Sequence, residues 1–272
     1  MRRCWRVSIV PSEPAVRCRR WSTCTVGAWS YFDRLVDFYI DHGLAACGML
    51  VAAVDFRQGP AHRYPTAVAD VVAGVRFVKT NARMLDVRTH DVGLIGGSSG
   101  GPLVLLAALR PHAPEYGATP VRGGDADPMD AAVAYALALW PIADPLGRYR
   151  YLLARRAEPR PARDPFFQLD RLLAGHDAFF GDEETMARAS VRRILDAGEA
   201  ERLPPIWVAH PELDENVTLA MSERLVEAYR GAGGMAELEV FPGVGHAFAN
   251  VPGDAADRCI ARMRAFIGRQ LR

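Results

Sequence analysis

The chain has 272 residues, half of them hydrophobic, and a formal net charge of +1. That length carries one large α/β domain with a real core, and the neutral balance gives no electrostatic case for nucleic acid or an anionic membrane surface. No apolar run reaches the roughly 18 residues that a membrane-spanning helix needs.

Residues 1–29 form an atypical leader. Positions 1–24 hold six arginines, one acid (Glu13) and three of the five cysteines, with no continuous apolar core of a secretory signal. The cysteines (Cys4, Cys18, Cys24, Cys47 and Cys259) are odd in number and show no CxxC spacing. The expectation is free thiols in a reducing compartment, hence a cytoplasmic protein. An Arg-rich targeting peptide is a second reading of the leader.

From Ser30 the pattern becomes orderly. Ser30-Tyr31-Phe32-Asp33 reads as a capping box opening a helix, with Phe32, Leu35, Val36 and Ile40 at helical spacing and Gly43 as its stop. "GMLVAAVDF" (48–56) reads as a buried strand and "TAVADVVAGVRFVKTNA" (66–82) as an amphipathic helix. "DVGLIG" (91–96) is a second buried strand, followed by helix 101–110. Further strands are expected at 131–141, 205–210 and 236–243, and further helices at 217–230 and 255–271. Strands alternating with helices predict a mostly parallel sheet covered on both faces.

Residues 143–200 break this alternation. They are helical in pattern, aromatic, and rich in Arg and Pro. The expected division is a core of 30–142 and 201–272, with 143–200 inserted as a helical cap over the carboxyl ends of the strands. Tyr149, Tyr151, Phe166, Phe167, Phe179 and Phe180 either line a substrate pocket there or pack the cap on the core, and packing is the expectation for most of them.

"GLIGGSSGGP" (93–102) places a G-x-S-x-G between a strand and a helix, the pattern of a nucleophile elbow. Two registers fit, centred on Ser98 or on Ser99. Ser98 is preferred, because the apolar strand ends at Ile95 and the turn then follows directly. A Walker-type phosphate loop requires a Lys after the last Gly, where this chain has Pro102. The order Ser, acid, His is completed by Asp214 after the strand at 205–210 and His246 after the strand at 236–243. All three lie at carboxyl ends of strands, where ligands collect in open α/β sheets. His246 would take the Ser98 proton, and Asp214 would fix the imidazole. Glu212, Glu215 and Asp144 are the competing acids; the first two read as solvated loop carboxylates and the third as a helix cap. His210 and Asp214, four apart, read poorly as metal ligands without a third. His42, His62, His90, His112 and His176 read as surface or structural, and Asp55 and Arg57 as ties for the loop after the first strand.

"DFRQGPAHRYPTAVADV", "GGSSGG", "DENV" and "GVGHAF" resemble the motifs of α/β-hydrolases of the hormone-sensitive-lipase-like, bacterial esterase branch. Those motifs run DYR-x-AP…(Y/F)P-A…D, G-D-S-A-G-G, D-x-x-V and G-x-x-H-x-F. The resemblance covers about residues 30–270. It implies an esterase acting through an acyl-enzyme on a small-molecule ester, with no metal or organic cofactor. It carries over onto Ser98, Asp214 and His246.

One motif of that branch is absent. A strand ending in His-Gly-Gly-Gly, whose amides form half of the oxyanion hole, is replaced by "CRRWSTCTVGAWS" (18–30). Gly27 is the weak remaining candidate beside the Ser99 amide. GC-rich codons for Arg17 to Ala28, read one register out, can spell an apolar strand and His-Gly-Gly-Gly. A frameshift is therefore the expectation, which the gene's DNA decides, and impaired activity is its consequence. The alternative reading is an inactive relative that binds a small ligand. Acyl length, ester against amide preference and oligomeric state are not encoded in any of these motifs.

Overall fold

The order of elements follows from apolar runs too continuous to be half-exposed strands. The computed structural model describes residues 28–121 and 130–272, together with the backbone of two short strands nearer the amino terminus. Those strands are β1 (Val7–Val10) and β2 (Trp21–Ser22). Then come α1 (Phe38–Ala45), β3 (Leu50–Val54), α2 (Thr66–Thr80), β4 (Leu94–Gly97) and α3 (Gly100–Leu109). The chain continues through β5 (Ala136–Leu139), β6 (Ile206–Pro211), α8 (Leu219–Gly231), β7 (Ala236–Phe241) and α9 (Asp254–Gln270). Between β5 and β6 lie α4 (Pro145–Ala157), α5 (Leu169–Phe180), α6 (Glu183–Arg188) and α7 (Val191–Asp196).

Strands β4, β5, β6 and β7 pair in that order, all parallel. β3 pairs antiparallel with β1 and parallel with β2. β2 also lies against β4, so the two sheets meet there. The strands before the first helix are thus present, though short. One core packs α2, α3 and α8 on one face of the sheet, and a second packs α1 and α9 on the other. Burial on both faces is why β3, β4 and β5 read as unbroken apolar runs, whereas the edge strand β7 carries Glu237 and Glu239.

The first helix differs from expectation. Ser30–Asp33 does not cap it: Asp33 Oδ1 accepts the Leu35 N–H at 2.9 Å in a turn, and Phe32 is left-handed at φ 68°. That backbone cannot begin a right-handed helix. The helix instead starts at Phe38 and runs past Gly43, which is a contact rather than a stop. A Cβ there would lie 2.8 Å from Ile260 on α9. The strand expected at 131–141 runs only from Ala136 to Leu139, and Trp140, left-handed at φ 41°, ends it.

In the helical segment, Asp144, Asp182 and Ser190 each cap a helix, accepting N–H groups of Gly147, Thr185 and Arg193 at 3.2, 2.7 and 3.3 Å. Phe179 and Phe180 are buried, and Phe179 stacks on Trp29 with ring centroids 5.4 Å apart. These two rings join the segment to the core rather than lining an open pocket.

Candidate active site

Strand β4 delivers the chain into a turn that only small residues permit. A Cβ on Gly96 would lie 2.5 Å from the Gly100 carbonyl oxygen, and one on Gly101 2.5 Å from Pro141 Cβ. Ser98 sits in that turn at φ 50°, while Ser99 is right-handed at φ −64°. The left-handed centre falls on Ser98, although the strand extends to Gly97 rather than ending at Ile95. The Ser98 N–H donates to Leu139 O at 2.8 Å, and its carbonyl accepts from Gly101 and Ile142 at 3.1 and 3.2 Å. The hydroxyl is thereby held above the sheet edge at the start of α3.

There it meets His246. Ser98 Oγ is 2.9 Å from His246 Nε2, and His246 Nδ1 is 2.8 Å from Asp214 Oδ2. Asp214 Oδ1 is occupied by the N–H groups of Asn216 and Val217 at 2.8 and 3.0 Å. Three residues distant in sequence thus form one hydrogen-bonded line from hydroxyl to carboxylate. Ser99 is buried with its own hydroxyl unpartnered among the described residues. Gly27 and the stretch on which the frameshift reading rests, apart from Trp21–Ser22 and Ala28, lie outside the described residues.

The competing acids are engaged elsewhere. Glu212 accepts the Gly243 N–H at 2.8 Å and so joins the acid loop to the loop after β7. Glu215 accepts the N–H groups of Arg163 and Asp164, the latter at 3.1 Å, and so is engaged rather than solvated, while Asp144 caps α4 as expected. His210 is buried with Nδ1 3.0 Å from Ser222 Oγ. Burial lowers its pKa, against an opposing effect of Asp214. Among the described residues no group of three or more His, Cys, Asp or Glu is arranged to hold a metal ion. Asp55 and Arg57 tie their loop to the turn before α1 and to α2: Asp55 accepts the Arg34 N–H at 2.8 Å, and Arg57 Nη2 pairs with buried Asp70 at 2.6 Å.

Three polar residues of this region escaped the sequence reading. Arg148 on α4 is fully buried, donating Nε to Asn216 O at 2.8 Å, with Nη1 2.8 Å from His176 Nε2. Burial pushes the guanidinium down to about 10, opposed by the charge of Asp214, and burial likewise holds His176 well below the usual imidazole value. Asp164 and Asn216 join each other at 3.3 Å between the helical segment and the acid loop. Asn216 stood inside the quoted "DENV"; nothing in the Arg- and Pro-rich run around Asp164 and Arg148 marks either residue.

A family model described as alpha/beta hydrolase fold matches residues 34–250. Over 253 residues the chain is 27% identical to the protein named Esterase LipC of Mycobacterium tuberculosis, covering 90% of this chain and 56% of that one. It is 32% identical over 78 residues to the gibberellin receptor GID1B of Arabidopsis thaliana, covering 28% of this chain and 22% of that one. The chain spans about half the length of Esterase LipC and a smaller share of the receptor. Among solved structures, an esterase of Thermogutta terrifontis with propionate bound superposes with a TM-score of 0.70 at 21% identity, covering 97% of this chain and 88% of that one. An esterase of Pyrobaculum calidifontis gives 0.75 at 19% identity, covering 97% and 80%. At these identities the structural likeness establishes the fold.

Proposed function

The chain belongs to the family with the alpha/beta hydrolase fold, and from that premise we propose that it is a serine carboxylic-ester hydrolase. One observation carries the reading: the Ser98–His246–Asp214 line, at 2.9 and 2.8 Å. His246 Nε2 takes the hydroxyl proton as Ser98 Oγ attacks the ester carbonyl. The same imidazolium then protonates the leaving alkoxide, giving an acyl-enzyme on Ser98. Water, activated by His246, releases the acid. Asp214 holds the imidazole through Nδ1–H and stabilises its cationic form. Proton transfer of this kind is worth roughly 10² to 10⁴ in rate.

The N–H of Ser99, at the start of α3, is one oxyanion donor, supported by the positive end of the helix dipole. Gly27 is the weak candidate for the other. Without a His-Gly-Gly-Gly strand the chain works with a poorer oxyanion hole, and losing one donor costs roughly 10² to 10³ in turnover. Residues 143–200 act as a cap on a core of 30–142 and 201–272. The substrate is a small or medium ester, consistent with the esterases named above as relatives. No cofactor enters the steps, and the protein works in the cytoplasm. No helix among the described residues is long and apolar enough to cross a membrane.

The test is hydrolysis of p-nitrophenyl esters by the wild type and by Ser98→Ala, with a fluorophosphonate probe and identification of the labelled peptide. Release by the wild type alone, with label on Ser98, is expected. Equal rates in both proteins overturn the proposal and favour the reading of a small-ligand-binding relative.

A further inference from the structure

The helical segment touches the hydrogen-bonded line at one carboxylate. Asp164 is 2% exposed. Its Oδ2 accepts the backbone N–H of His246 at 3.2 Å and the side-chain amide of Asn216 at 3.3 Å. Asn216 in turn gives its backbone N–H to Asp214 Oδ1 at 2.8 Å. Asp164 is itself fixed, because its Oδ1 accepts the Phe166 N–H at 2.9 Å and its own N–H donates to Glu215 Oε2 at 3.1 Å. The neighbouring Gly245 leaves room for it: a Cβ there would stand 3.1 Å from Asp164 Oδ1.

A buried carboxylate is costly unless N–H groups point at it. Here both donors on Oδ2 come from the loops that carry His246 and Asp214. Asp214 restrains the imidazole only at Nδ1, so the height of the ring over Ser98 depends on where its backbone is held. We propose that Asp164 is a positioning residue that anchors the His246 backbone and locks it to the acid loop through Asn216. This rests on the esterase reading above. Docking of the helical segment and alignment of the proton relay are then one event, because the anchor comes from that segment.

The experiment compares wild type, Asp164→Ala, Asp164→Asn and Asn216→Ala. It measures p-nitrophenyl acetate kinetics, thermal unfolding, and hydrogen exchange of the peptide covering 242–250. In Asp164→Ala, kcat falls about 10- to 100-fold, as an ångström-scale misplacement predicts, while KM stays within about threefold. Exchange across 242–250 speeds up. Asp164→Asn keeps an acceptor oxygen and retains kcat within about threefold of wild type. Asn216→Ala cuts the tether at its other end and shows the same split of kcat from KM, so it decides the matter if Asp164→Ala does not fold. A folded Asp164→Ala or Asn216→Ala with wild-type kcat overturns the proposal, as does wild-type exchange in 242–250. Ser98→Ala run alongside separates the two claims. If it matches the wild type, the esterase reading fails, and the exchange data still decide the tether.

Discussion

The indole of Trp140 stands against the imidazole of His246, with ring centroids 6.1 Å apart and planes at 60°. It also meets Phe248 at 5.2 Å. Trp140 is wholly buried, and its left-handed backbone turns the chain out of β5 beside the carbonyl that receives the Ser98 N–H. It packs edge-on against the imidazole. Trp140→Ala should cost about 3 to 5 kcal/mol of stability, as for other buried Trp truncations. Urea denaturation measures this. In the fraction that folds, kcat should fall further than KM rises, because His246 gains room to swing.

The left-handed turn that presents the Ser98 hydroxyl carries backbone strain. A non-glycine residue in the left-handed region is disfavoured by roughly 1 to 2 kcal/mol. Ser98→Gly and Ser98→Ala both lose the hydroxyl, so both should be inactive. They differ in the backbone, and at φ 50° the glycine variant should be the more stable by about 1 kcal/mol. Equal denaturant midpoints for the two would show that the turn is not strained.

Glycines 96 and 268 predict opposite outcomes for the same substitution. Gly96→Ala would bring a Cβ within 2.5 Å of the Gly100 carbonyl and 2.9 Å of Val104 Cγ1. A backbone atom cannot yield cheaply, so a loss of about 3 kcal/mol or more is expected. Gly268 lies within α9 with nothing within 4 Å of a built Cβ. There Ala should raise stability by roughly 0.5 to 1 kcal/mol. Denaturant midpoints of the two variants check both signs.

Asp41 on α1 sets a pH slope. Burial first, and then the neighbouring Asp37, pushes its carboxyl from 3.8 up to about 8. Between those values the folded chain holds a proton that the unfolded chain has lost. Stability from this group is therefore full below 3.8, declines as pH rises, and is gone above about 8. Asp41→Asn removes the slope. Its Tm minus that of wild type should grow steadily from acid to mildly alkaline pH. The depressed imidazoles of His176 and His210 act in the other direction: the stability they contribute is lost as pH falls below 6.5. They are common to both proteins and cancel in the difference.

The sheet and its flanking helices were legible because strands buried on both faces are mostly apolar, as β3 to β6 are, while the edge strand β7 alternates Glu237 and Glu239 with apolar residues. Ser98, Asp214 and His246, which the structure brings into one hydrogen-bonded line, stood out as a serine, an acid and a histidine each just after a strand. The start of α1 was not legible. Ser30 and Asp33 have the right residue types for a cap, but Phe32 beside them adopts a backbone that no residue-type rule announces. Asp164 was hidden for a different reason. Its main partner is a backbone N–H of His246, 82 positions away, and a backbone group leaves no mark in the sequence.

The meeting of β2 with β4 divides responsibilities within the molecule. Ser98, Asp214 and His246 all follow strands of one parallel run from β4 to β7, while β1 and β2 pair with β3. On the esterase reading proposed above, the proton relay rests on strands β4 to β7 alone, and a change in residues 1–29 would bear on the oxyanion rather than on that relay. On that same reading, speed and competence would reside in different stretches of the chain, and the first could be lost or regained without touching the second.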